Sequence, residues 1–146
     1  MALAEGLAPA LSRWAAAQER RILRDGVGLP NDALVFAKSL EIERAEEIRV
    51  LIAKPIPLPV PQWLVRMAQR CGLPVFSPAG MALGRGIFLL PGEERSLPHE
   101  LVHVMQYQRL GGILGFMRRY IFECLTQGYF EADLEIEARE RSWMQK

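Results

Sequence analysis

"LPHELVHVMQYQ", residues 97–108, decides how this chain is read. The 146-residue sequence holds two histidines, His99 and His103, four positions apart, with Glu100 between them. On an α-helix, side chains at i and i+4 sit one turn apart on one face, so both imidazoles can reach a common ion. Glu100, three positions before His103, projects along the adjoining side and approaches that ion without displacing a ligand. Leu97, Leu101, Val102, Val104 and Met105 make the segment apolar on nearly every face, the mark of a buried helix. Buried imidazoles need polar partners, and one metal ion would serve both. Ser96 is placed to cap this helix, and Pro98 falls in its first turn, where a missing N–H costs nothing.

The pattern His99-Glu100-x-x-His103 suits zinc. The ion brings the pKa of a water towards about 7, and Glu100 can take that proton as general base and pass it to a leaving amine. Two histidines do not complete such a site. Arg109 stands where the extended motif carries a third histidine, so a carboxylate from another element is required. The C-terminal helix "YFEADLEIEARERSW" (129–143) offers Glu131, Asp133, Glu135, Glu137 and Glu140. Gln106, seven positions after His99, lies on the histidine stripe and serves either a hydrogen bond near the site or packing. Tyr107, Arg118, Arg119, Tyr120 and Tyr129 are candidates to hold an oxyanion. Against all this stands the plainer alternative of two core histidines bonded to backbone, with Glu100 incidental.

Outward from this segment, the chain alternates in character. Residues 3–24 carry Leu7, Leu11, Trp14 and Ile22 at helical spacing, and "DGVG" (25–28) ends that helix. A short helix is predicted over 31–41, capped by Asn31 or Asp32, followed by the solvated charge run "EIERAEEIR". "IRVLIAKPIPLP" reads as a strand halted by Pro55, Pro57 and Pro59, and helical spacing returns over 61–72. "AGMALGRGIFLLPG" (79–92) reads as one strand with glycine-permitted bends. Its glycines precede or lie within the strand, which excludes a nucleotide loop. From residue 96 onward three helical pieces are predicted, broken at Gly111–Gly112 and at 127–129. Residues 113–126 have a broad apolar face, read as a core helix bridging the two metal-bearing ones and not as a membrane-surface helix.

This order predicts an α+β fold in a single domain spanning 1–146. Its N-terminal helical part covers about 1–45, a small sheet region about 46–92, and the metal-site helices about 96–144. Eighteen basic and seventeen acidic residues leave a net charge of +1, too weak a field to predict nucleic acid as a partner. No run of apolar residues is long enough for a membrane span, and the N-terminus lacks the order of a secretory signal, so a cytoplasmic location is expected. Cys71 and Cys124, isolated in helical surroundings, read as buried free thiols.

"HELVHVMQYQRLGG", followed some thirty residues later by "LEIEAR", resembles the gluzincin type of zinc metallopeptidase, and also small bacterial domains that pair HELxHxxQY with an ExEA segment. The resemblance covers residues 80–140 and includes the strand "GMALGRGIFL", the sheet edge where an extended substrate docks in such enzymes. It implies zinc as cofactor, His99, His103 and Glu135 as ligands, and Glu100 as catalytic base. Ala138 is then the small residue that lets the two helices approach. Glu131 and Glu137 are the rival third ligands. Gluzincins commonly place Asp after the small residue to orient a zinc histidine; this chain has Arg139, and Glu131 is the candidate for that orienting role, with Tyr107 and Tyr120 as further residues behind the ligands. The expected activity is hydrolysis of peptide bonds in a peptide or protein substrate. The alternative is a metal-stabilised binding module without catalysis.

Overall fold

The computed structural model describes residues 2–60, 66, 70 and 78–143, and for residues 3 and 4 the backbone alone. The helix expected over 61–72 and Cys71 lie outside the described residues. Helix α1 (Ala2–Asp25) leads into a two-residue strand β1 (Val27–Gly28), helix α2 (Asn31–Ser39), a single 3₁₀ turn (Ala45–Glu47) and strand β2 (Arg49–Ile52). Strands β3 (Gly80–Leu83) and β4 (Gly86–Leu89) follow, then helices α3 (Leu97–Arg109), α4 (Ile113–Gln127) and α5 (Asp133–Trp143). The fold is α+β, a four-stranded mixed sheet packed with five helices among the described residues.

Strand order is β1-β2-β4-β3. β4 runs parallel to β2, with Val50 opposite Ile87, and the two outer pairings are antiparallel. β4 is therefore internal and buried along its length. Ile87 and Leu89 point into one core with α2 and α3, while Phe88 points into another with Ile22 and Ala15 of α1. A strand covered on both faces must be apolar at every position, which is why "GIFLL" lacks alternation.

Three expectations are corrected and a fourth is extended. The segment 79–92 is a hairpin, because Gly84 adopts φ +66° and turns the chain through Gly84–Arg85. The turn is held from outside, the Arg85 N–H donating to Glu19 of α1 at 2.8 Å. "DGVG" does more than end α1, since Val27 and Gly28 pair with β2. Ser96 makes no side-chain cap, because a 3₁₀ turn over Glu94–Ser96 already runs into α3, leaving Ser96 in helical conformation. Neither Asn31 nor Asp32 caps α2 from outside, since the helix starts at Asn31 behind Pro30.

The charge run 41–49 is solvated on two sides only. Ile42, Ala45 and Ile48 recur every third residue and are buried. α4 lies along α1 and touches α3 and α5 through Phe116, Tyr120 and Glu123. Its outer side keeps Leu114, Phe122 and Leu125 exposed. No helix among the described residues is long and apolar enough to cross a membrane.

Candidate metal centre

The sequence places His99 and His103 on α3, and packing against the sheet fixes where they point. Leu101, Val102 and Val104 are fully buried, each contributing roughly 1.5–3 kcal/mol. α5 packs against α3 and is anchored at its start by α4. The buried Glu123 carboxylate of α4 accepts the Leu134 N–H at 2.9 Å, satisfying a donor in the first turn of α5, and is itself paired with Arg119. Leu134 and Ala138 then bury against α3, and Glu135 between them turns inward.

His99 Nε2 lies 3.1 Å from Glu135 Oε1, and His103 Nε2 lies 3.1 Å from Glu135 Oε2. The candidate ligand atoms of the three residues all fall within 4.8 Å of one another. Tetrahedral zinc with bonds of about 2.0–2.1 Å holds adjacent ligand atoms about 3.3–3.4 Å apart, so the donor set and its spacing fit such an ion. The His99 side chain is 24% exposed, those of His103 and Glu135 7% and 3%, so the cluster opens to solvent on the His99 side alone.

Hydrogen bonding explains why a cation belongs there. The amide nitrogen of Gln106 donates to the Leu134 carbonyl at 2.9 Å and to Glu137 Oε1 at 2.8 Å. Its oxygen must then be the atom facing His103 Nδ1 at 2.8 Å, so Nδ1 carries the proton. In the neutral ring Nε2 is left as a lone pair aimed at a carboxylate oxygen 3.1 Å away. Two acceptors at that distance require a positive charge between them, a metal ion or a second ring proton.

The titration behaviour of the metal-free cluster says the same. Burial opposes charge on His103, but the hydrogen bond to Glu135 and the nearby Glu100 carboxylate outweigh it and push its pKa up to about 9. Burial likewise acts to raise Glu135, yet hydrogen bonds from His103, His99 and Tyr120 hold its carboxyl far below the usual carboxylate range. A proton fills the place a cation would take.

Glu100 is buried beside the cluster. Burial raises its pKa first of all, opposed by the positive fields of His103 and His99, reinforced by Glu135, and moderated by a hydrogen bond from the backbone of Ala82. β3 passes so close that a Cβ on Gly80 would stand 3.0 Å from Glu100 Cγ.

The other sequence candidates separate. Tyr120 donates to Glu135 Oε2 at 2.7 Å, and Tyr129 feels Glu135 closely enough that burial and this carboxylate together raise its hydroxyl pKa. Tyr107 donates to the Ala82 carbonyl at 3.0 Å and stacks on Phe116, tying α3 to β3 instead of facing the cluster. Arg118 pairs with Glu5 and Arg119 with Glu123. Glu131 sits exposed in the turn before α5, outside the helix whose register would have aligned it with Glu135, and the orienting contact to His103 comes from Gln106 instead. Glu137 faces Arg109, bonded at 2.7 and 2.9 Å, and is not in the ligand group. Arg139 reaches the Phe130 carbonyl and lies over its ring. Cys124 is a free thiol whose pKa burial pushes up to about 11.

Fold and cluster together define an α+β protein with a candidate metal centre of two imidazoles and one carboxylate drawn from two helices. Comparison with protein-family models, with curated proteins and with solved structures returns no match.

Proposed function

We propose that the protein is a zinc-dependent hydrolase that cleaves peptide bonds, with His99, His103 and Glu135 holding the ion and Glu100 acting as general base. The observation that carries this reading is the placing of a buried carboxylate, Glu100, one position from the first histidine and beside a three-ligand cluster. A purely structural zinc site is closed by four protein ligands, whereas this cluster offers three and stays open beside His99. Among the described residues a cleft of about 1400 Å³ runs past it, lined by Trp14, Met81, Met117 and Leu125 as well as by His99 and Glu100. β3, one of the two edge strands among the described residues, borders that cleft, which suits an extended peptide.

Zinc, when bound, would supply Lewis acidity towards the scissile carbonyl and acidify an attacking water. The protein's own groups do the rest. Glu100, with its pKa raised by burial, accepts the water's proton at its carboxylate and returns it to the leaving amine. The Ala82 backbone and the space left by Gly80 hold that carboxylate in place. Tyr120 fixes one oxygen of Glu135.

The test is Glu100→Gln on purified protein, with zinc measured by elemental analysis and turnover on a mixed peptide library. The expected result is stoichiometric zinc with turnover reduced about 10²–10⁴-fold. Wild-type protein that takes up zinc and cleaves nothing would point instead to a metal-stabilised binding module. Absence of zinc at neutral pH after supplementation would remove both readings.

A further inference from the structure

Behind His103 runs a chain of polar contacts that begins at the surface. The half-exposed Arg109 guanidinium grips both oxygens of Glu137, at 2.7 and 2.9 Å. Glu137 accepts from Gln106 at 2.8 Å, Leu134 O takes the second amide hydrogen at 2.9 Å, and Gln106 Oε1 meets His103 Nδ1 at 2.8 Å. Gln106 is fully buried. A buried amide is costly unless all its polar atoms are matched, and here every one is, by groups from two helices. Packing alone would be served as well by leucine.

We infer that Gln106 is a positioning residue for the metal. Clamped by Glu137 and Leu134, its oxygen fixes the His103 proton on Nδ1 and turns the Nε2 lone pair towards Glu135 and the ion. Glu137 polarises the amide it accepts from, and the amide oxygen in turn polarises the imidazole N–H, so Nε2 becomes a better donor; Arg109 donates to the same carboxylate from the other side and fixes its position. Arg109 and Glu137 act through Gln106. The relay takes up the orienting task that Arg139, turned towards Phe130, does not perform. The inference rests on the metal reading of the site and not on its catalytic reading.

Zinc affinity is read by competition with a chromophoric chelator, and the His103 ring tautomer by long-range ¹H–¹⁵N correlation in metal-free protein above about pH 9, where the ring is neutral. Gln106→Leu should weaken zinc binding about 10–100-fold and redistribute the ring proton. Glu137→Gln keeps Gln106 and its volume but removes the carboxylate that polarises the amide, and should weaken zinc by about threefold to tenfold, less than Gln106→Leu because it lies one link further back. A packing role predicts no change in that variant, which also carries the test should Gln106→Leu fail to fold. Zinc affinity unchanged in Gln106→Leu or in Glu137→Gln overturns the inference. If wild-type protein takes up no zinc, the metal reading falls by itself. The tautomer then decides: a proton on Nδ1 that shifts in Gln106→Leu supports the relay, and an identical tautomer in both proteins overturns it.

Discussion

Gly80→Ala probes how closely β3 must approach Glu100. The new Cβ would lie 2.9 Å from Leu89 Cδ2, 3.0 Å from Glu100 Cγ and 3.2 Å from Glu100 Oε2. Gly80 is not among the positive-φ glycines, so alanine meets no backbone strain there, and it gains about 0.4–1 kcal/mol by restricting the unfolded chain. Overpacking a well-filled core costs about 1–3 kcal/mol. Leu89 is a buried core residue and Glu100 is held by the Ala82 backbone, so neither yields freely. The net expectation is destabilisation by about 1–2 kcal/mol, or a fall in Tm of about 3–8 °C for a chain of this size. Displacing Glu100 by a fraction of an ångström up to about 1 Å should lower turnover by up to about 10²-fold. Zinc content should not change, because none of the three candidate ligands is among the atoms nearest the new Cβ. Gly86→Ala is the control. Its Cβ would stand 2.9 Å from Ile22 on the opposite side of the sheet, so it should cost similar stability and leave turnover per folded molecule intact. Thermal melts, zinc analysis and peptide-library turnover on both variants complete the assay. Equal losses of turnover in the two variants, or a Gly80→Ala protein as stable and active as wild type, would refute the reasoning.

Further outcomes follow from the cluster. Metal-free His103 titrates at about 9, and zinc needs it unprotonated, so apparent affinity should climb about tenfold per pH unit from about pH 7 to 9 and then level off. Chelator competition across that range checks it, and a plateau near pH 7, as for an unperturbed imidazole, would contradict it. The same shift carries a sign for stability. Because the folded pKa lies above the ordinary 6.5, the stability from the His103–Glu135 pair is complete below about pH 6.5 and lost as pH rises through about 9. Melting of metal-free protein should therefore fall across that window, and His103→Gln should abolish the slope. Tyr120→Phe removes the donor to Glu135 Oε2 and should weaken zinc about 10-fold or more with little change in the fold, measured by the same competition.

How far the sequence carried the reading depends on whether each feature is local. The apolar ring around His99 and His103 set α3 and its burial, since helical spacing and solvent exclusion act within one segment. The i, i+4 spacing of the histidines put them on one face, and the glycine breaks at 111–112 and 128 separated the last three helices. The α+β order followed from the change of pattern between residues 45 and 95. The hairpin at 79–92 was within reach too, since Gly84–Arg85 between two apolar runs is a two-residue turn signal.

What lay beyond the sequence required knowing which groups meet across the fold. Five carboxylates between 131 and 140 look alike along the chain, and the packing of α5 on α3 through Leu134 and Ala138 turns Glu135 inward while Glu131 stays in solvent. Tyr107 and Tyr120 were equal candidates until packing sent one hydroxyl to the Ala82 carbonyl and the other to Glu135. Gln106 acquires meaning from Leu134, Glu137 and Arg109, contacts some thirty residues away for the first two. Periodicity is written along a chain because a helix or strand repeats its own geometry, so the sequence by itself determined the elements and the pair of histidines. Convergence of separate elements on one point depends on how those elements pack, and the third candidate ligand and the network behind His103 arise there.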